Sequence, residues 1–205
     1  MRVLDARVEP LERVVEACRQ EVFGGGTIVF PSDTGYCLGC DPYRGQAVDR
    51  IYAVKARADH EPLTLLVATP AELLEYAPEN PLALLASKRL LPGPVTLIVR
   101  RPSFVSVEVT AGATTVGLRV PDERVARAIL DGAGPLAAAS VEHGAETAAD
   151  LVIENGPARY DRESTIVDLT GRQARLVREG AMSYERLAEL LNPIERQSIK
   201  VRSQS

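Results

Sequence analysis

Tryptophan is absent from these 205 residues, and aromatic side chains account for only 4% of them. Proteins that read single-stranded nucleic acid commonly stack bases on aromatic platforms, and this chain offers few. A basic excess is lacking as well: 24 Lys and Arg stand against 28 Asp and Glu, for a net charge of −4. A dedicated nucleic-acid-binding domain is usually basic, so this balance argues against one while leaving room for a local basic groove. No apolar run approaches the ~20 residues that span a bilayer. The N-terminus, MRVLDARVEPLERVV, carries acids through an amphipathic pattern where a signal peptide would have an apolar stretch. The expectation is a cytoplasmic protein without membrane contact.

Cysteine is scarce and odd in number: Cys18, Cys37 and Cys40. In a reducing compartment this argues against a disulfide framework. Cys37-Leu-Gly-Cys40 has the spacing of a redox or zinc pair, yet a zinc site needs about four ligands and no second pair accompanies it. The expectation is small residues packing a tight loop, with no metal. His60 and His143 are the two histidines; His143 lies in a loop near the segments that carry chemistry, and solvent exposure is its simplest reading.

What is present suits one globular domain: 45% hydrophobic and 25% charged residues. Leu11, Val14, Val15, Cys18 and Val22 recur at helical spacing behind Pro10. The triplet Gly24-Gly25-Gly26 then stops that helix, because a strand follows (Thr27 to Phe30) where a phosphate loop would open a helix. Pro31 to Asp41 reads as a loop. Helices are expected from Gln46 to Ala56, Pro70 to Tyr76, Pro81 to Leu90, Glu123 to Leu130 and Thr147 to Ile153, and behind a Ser183 cap to Leu191. Strands are expected at Leu63 to Val67, Val95 to Val99, Thr115 to Val120, Leu136 to Ala139, Ser164 to Leu169 and Ala174 to Arg178, the last two joined by the turn Thr170-Gly171. Residues 1–192 form the domain and 193–205 a polar, aperiodic tail. Helices alternate with strands, several of them adjacent in sequence, so one mixed sheet with helices on its faces is expected.

Lys55 and Arg57 stand two apart at the end of a helix. Such a pair can simply complement the helix dipole. Its company suggests more: the segment Pro31-Ser-Asp-Thr-Gly-Tyr-Cys-Leu-Gly-Cys, then Pro92-Gly-Pro-Val-Thr, Arg119-Val-Pro, Ala139-Ser140 and Glu163-Ser-Thr-Ile-Val-Asp168. Each places small polar residues at a strand end, where open α/β sheets bind ligands. Two cations there would grip the phosphates of a nucleotide.

Taken in order, these segments resemble the YrdC-like threonylcarbamoyl-adenylate synthase family. The resemblance runs from Gly24 to Ala181 through PSDTGYCLGC, Lys55-Ala-Arg57 with Pro62-Leu63, Pro92 to Thr96, Thr115 to Pro121, Ser164 to Asp168 and Arg178 to Ala181. It implies an α/β, single-domain, twisted mixed sheet around a concave electropositive cavity. It implies a nucleotidyltransferase that joins L-threonine, bicarbonate and ATP, with Mg²⁺, into threonylcarbamoyl-AMP and pyrophosphate. Partner tRNA-modifying proteins would use that product, with tRNA or double-stranded RNA as a further partner. Lys55 and Arg57 are then catalytic and bind ATP together with Thr115, Ser140, Glu142 and Arg178, while Thr34, Arg119 and Ser164 hold threonine.

The chain departs from the family pattern in places. Glu142 stands where the family has an amide, and its carboxylate would either repel the phosphates or help to hold Mg²⁺. Leu66 replaces a histidine and removes a polar contact to threonine. Ser32, Gly35 and Cys37 replace the commoner Thr, Val and Gly, as in the YciO paralogues. A YciO-type divergent activity, or an RNA-binding module without catalysis, is therefore the alternative.

Overall fold

A computed structural model describes residues 1–55, 61–77, 79–141, 149–160, 162–192 and 194–196, with backbone alone at Lys55 and 194–196. Among these described residues there are eleven strands: β1 (Arg2–Asp5), β2 (Ile28–Ser32), β3 (Gly35–Cys40), β4 (Thr64–Leu66), β5 (Val95–Arg100), β6 (Thr115–Arg119), β7 (Leu136–Val141), β8 (Leu151–Glu154), β9 (Thr165–Asp168), β10 (Ala174–Arg178) and β11 (Ile194–Arg196). The helices are α1 (Leu11–Phe23), α2 (Gly45–Lys55), α3 (Pro70–Glu75), α4 (Pro81–Leu90), α5 (Arg124–Ala133) and α6 (Tyr184–Leu190). The strands form one mixed sheet in the order β1-β8-β2-β3-β7-β4-β6-β5-β9-β10-β11. No helix among the described residues is long and apolar enough to cross a membrane.

Local chemistry accounts for most of these elements. Asn80 caps α4 by accepting from the Ala83 N–H, Pro81 supplies the preset φ of the first turn, and Ser183 caps α6 through the Arg186 N–H. Helix α1 buries Val14, Ala17, Cys18 and Val22 along one stripe. Gly25, at φ +86°, turns the chain out of that helix into β2.

Two apolar cores sandwich the sheet. On one face, residues of α2, α3, α4 and α6 pack against Leu38, Leu65, Leu97, Leu118 and Val167. On the other, α1 and α5 cover Ile28, Phe30, Leu136 and Ile153. That second cover is partial. Among the described residues it takes no buried apolar residue of β5, β6 or β9, and the site lies on that part of the face.

Three segments differ from the sequence expectation. Gly35–Cys40, expected within a loop, is β3, central in the sheet and paired antiparallel to both β2 and β7. Its two glycines are poor strand formers, but neighbours on both sides supply hydrogen-bond ladders. Leu151–Glu154, expected as the end of a helix, is β8, parallel to β1 and β2; a short apolar run does not distinguish strand from helix by its period. Ile194–Arg196, expected in the tail, forms β11 parallel to β10.

Cys37 and Cys40, three apart on β3, fall on opposite faces of the sheet, one in each core. They cannot converge on one metal or one disulfide. Burial pushes the Cys18 and Cys40 thiols up to about 12, which makes both inert.

Candidate active site

Strand register puts the chemistry on one face. Leu66 is opposite Arg119 across β4 and β6, Thr96 opposite Ile166 across β5 and β9, and Cys37 opposite Ser140 across β3 and β7. Side chains two residues apart share a face, so these groups look into a common space. They line a cleft of about 120 Å³, with Ser164 and Arg178 closing one side of it.

Arg119 is the best-held group in this cleft. Its side chain is 6% exposed and ends β6 beside the β2–β3 hairpin. Nη2 donates to Asp33 Oδ1 at 2.5 Å, Nη1 to Thr34 Oγ1 at 2.7 Å and Nε to the Gly93 carbonyl at 3.2 Å. The Asp33 side chain is fully buried, and the Asp33 carbonyl accepts from the Tyr160 N–H at 2.9 Å. Tyr36 straps the same loop down: its hydroxyl donates to the Gly156 carbonyl and accepts from the Asn155 N–H, both at 2.9 Å.

Across the cleft, Ser164 Oγ lies 2.9 Å from Thr96 Oγ1 in a buried hydroxyl pair. Arg178 wraps the Ser164 carbonyl with Nε at 3.3 Å and Nη2 at 2.9 Å, while Nη1 donates to Glu163 Oε2 at 2.6 Å. The Glu163 side chain is 59% exposed. It also lines a second, larger cavity of about 880 Å³ with Thr34, Tyr36, Val141, Tyr160 and Arg162. The close approach of strands here depends on Gly180, where a Cβ would come within 2.2 Å of the Glu163 carbonyl oxygen.

Of the residues expected from sequence, Arg119, Ser140, Ser164 and Arg178 meet in the smaller cleft. Thr34 touches Arg119 but faces the larger cavity. Thr115, on the same face as Arg119 and four residues before it, lines neither cavity. Lys55 ends α2, and its side chain lies outside the described atoms. Arg57, Glu142, His60 and His143 lie outside the described residues. Both arginines that line the smaller cleft among the described residues are paired with carboxylates, Arg119 with Asp33 and Arg178 with Glu163. Three further site residues went unassigned in the sequence: Asp33, Thr96 and Glu163. Each sits inside a segment singled out for its chemistry, but none could be given a role without the strand register.

Comparison with known proteins fits this geometry. The sequence model of the Sua5–YciO–YrdC family, described as "Telomere recombination", matches residues 22–180. A threonylcarbamoyl-AMP synthase of Pyrococcus abyssi is 31% identical over 186 residues, covering 83% of this chain and 55% of that protein. An uncharacterized protein of Escherichia coli, YciO, is 29% identical over 188 residues, covering 83% of this chain and 91% of that one. The chain thus spans about half the length of the Pyrococcus synthase. Among solved structures, P. abyssi Sua5 complexed with L-threonine aligns at a TM-score of 0.86 with 27% identity, over 96% of this chain and 62% of that one. E. coli YciO aligns at 0.79 with 26% identity, over 90% of this chain and 97% of that one. On the matched residues and the shared fold, the chain belongs to the Sua5–YciO–YrdC family.

Proposed function

We propose that this protein is an ATP-dependent synthase of threonylcarbamoyl-AMP, supplying partner proteins that modify tRNA. The observation that carries the reading is Arg119. Described residues take three of its five guanidinium donors, which leaves one N–H on each Nη for the fork that grips an α-carboxylate. The solved L-threonine complex of P. abyssi Sua5 supports an amino acid as the ligand.

In the reaction, the threonine amine is carboxylated by bicarbonate with loss of water. The carbamate oxygen then attacks the α-phosphorus of ATP, and the bond to the bridging oxygen of pyrophosphate breaks. The protein's task is to bring two anions together in line, which calls for positioning and charge neutralisation more than for a strong base. Arg119 and the Thr96–Ser164 hydroxyl pair orient the amino acid. Arg178 and Ser140 face the same cleft and offer donors to phosphate oxygens. Lys55 and Arg57 offset the repulsion between the two anions and stabilise the leaving pyrophosphate.

The cleft's volume of about 120 Å³ suits an amino acid rather than a nucleotide, since nucleotide-sized pockets run to roughly 300–1,000 Å³. The nucleoside therefore needs adjoining space, which the cavity of about 880 Å³ beyond Glu163 offers. No group of three or more His, Cys, Asp or Glu among the described residues could hold a metal. Mg²⁺ would then come on the phosphates of ATP, keeping several of its waters.

Pyrophosphate release tests the proposal. The expected result is release from ATP only when L-threonine and bicarbonate are both present. Release that ignores threonine, or none at all, overturns it and leaves a divergent YciO-like activity.

A further inference from the structure

The Arg119–Asp33 pair has a chemistry of its own. Both side chains are buried, at 6% and 0% exposure. Asp33 Oδ1 takes the Arg119 Nη2 hydrogen bond, whereas Oδ2 is buried with no hydrogen-bond partner among the described residues. A buried carboxylate with an unsatisfied oxygen is costly unless a cation lies beside it, as Arg119 does here. Taken together, the two side chains are close to neutral. The guanidinium keeps two N–H groups that no described residue takes, with its charge already compensated.

We infer that Asp33 is a specificity-determining residue: by cancelling the charge of Arg119, it makes that fork select a zwitterionic amino acid and refuse a phosphate group. The inference rests on the reading of the cleft as an amino-acid site. A ligand gripped by Arg119 also feels the fixed negative charge of Asp33, and that repulsion grows in proportion to the ligand's own charge. An amino acid carries a single carboxylate with a compensating ammonium on the next carbon. Phosphate brings up to twice the negative charge and no cation. In a cleft where an amino acid must lie beside a triphosphate, an uncompensated Arg119 would bind either one. The Asp33–Arg119 pair discriminates by net charge while keeping the fork geometry.

The test is calorimetric titration of the full chain with L-threonine and with inorganic phosphate, alone and in competition. Wild type is expected to bind threonine and to retain it when phosphate is raised well above the threonine Kd. Asp33→Asn should bind phosphate about tenfold more tightly, with phosphate now displacing threonine. The gain should vanish in the double variant Asp33→Asn/Arg119→Gln, which separates phosphate at Arg119 from phosphate held elsewhere. Asp33→Glu, which keeps the charge, should behave like wild type. Unchanged phosphate affinity in folded Asp33→Asn overturns the inference. Should Asp33→Asn fail to fold, wild type alone decides, because ready displacement of threonine by phosphate overturns it equally. If threonine binds neither wild type nor variants while the Arg119-dependent phosphate gain appears, the role of Asp33 stands and the amino-acid reading falls.

Discussion

At the residue scale, the site is organised by one arginine that two parts of the chain hold at once. Gly93, Thr34 and Asp33 take three donors of Arg119 in three directions. A lysine could offer one point charge but neither the fork nor the planar anchoring. Arg119→Lys should therefore weaken L-threonine binding by at least about tenfold, or ~1.4 kcal/mol. Arg119→Ala goes further, since it leaves Asp33 as a buried charge without its partner, a change that typically costs about 3–5 kcal/mol of stability. Titration calorimetry and urea unfolding measure the two effects separately. A lysine variant of wild-type affinity would mean that the ligand carboxylate is held elsewhere.

At the scale of elements, the β9–β10 hairpin carries both Ser164 and Arg178, and two local devices hold it. The first is Asp168, whose Oδ1 accepts from the Thr170 N–H and hydroxyl and whose Oδ2 accepts from Arg175 at 2.6 Å. Burial alone would push this carboxyl up, but the hydrogen bonds from Thr170 and Arg175 outweigh it and hold it below the usual carboxylate range. Because the folded value is the lower one, the stabilisation is complete above the ordinary Asp pKa of about 3.9 and is lost as pH falls through the depressed value. Asp168→Asn should thus lower the unfolding free energy by roughly 1–2 kcal/mol at neutral pH. The difference from wild type should shrink steadily as pH drops below the carboxylate range, measured by urea titration across pH. A difference that ignores pH would place the effect in packing.

The second device is Gly180. A methyl group there would lie 2.2 Å from the Glu163 carbonyl oxygen and 2.7 Å from the Ser164 carbonyl carbon. Both are backbone atoms that no side-chain rotation can move. Gly180→Ala should therefore push the Glu163–Ser164 segment outward, destabilise the fold by about 1–3 kcal/mol and weaken ligand binding along with it. Full affinity in a folded Gly180→Ala protein would show that the cleft tolerates movement of Ser164.

At the scale of the whole molecule, local signals and long-range pairing can be told apart residue by residue. Pro81–Leu90 and Ala174–Arg178 read from the sequence with their observed bounds. Each is marked by chemistry within a few residues, a capped proline start in one and a hairpin turn in the other. Gly35–Cys40 and Leu151–Glu154 did not read as strands, because each is completed by a partner about a hundred residues away or more, in β7 or β2. The site divides in the same way. Ser140, Ser164 and Arg119 were legible as small polar or basic groups at strand ends, and Arg178 through the family resemblance. Asp33 and Glu163 were not, since in sequence a carboxylate looks the same whether it faces water or an arginine. The sequence by itself determined the family, the mixed α/β class and most of the polar groups of the site, because periodicity, caps and ordered motifs are local. Only the tertiary structure decided which of those groups share a cleft and which arginine is neutralised by which acid. Both depend on strand register, and register is set by which side chains the two cores bury, a choice made across the whole chain at once.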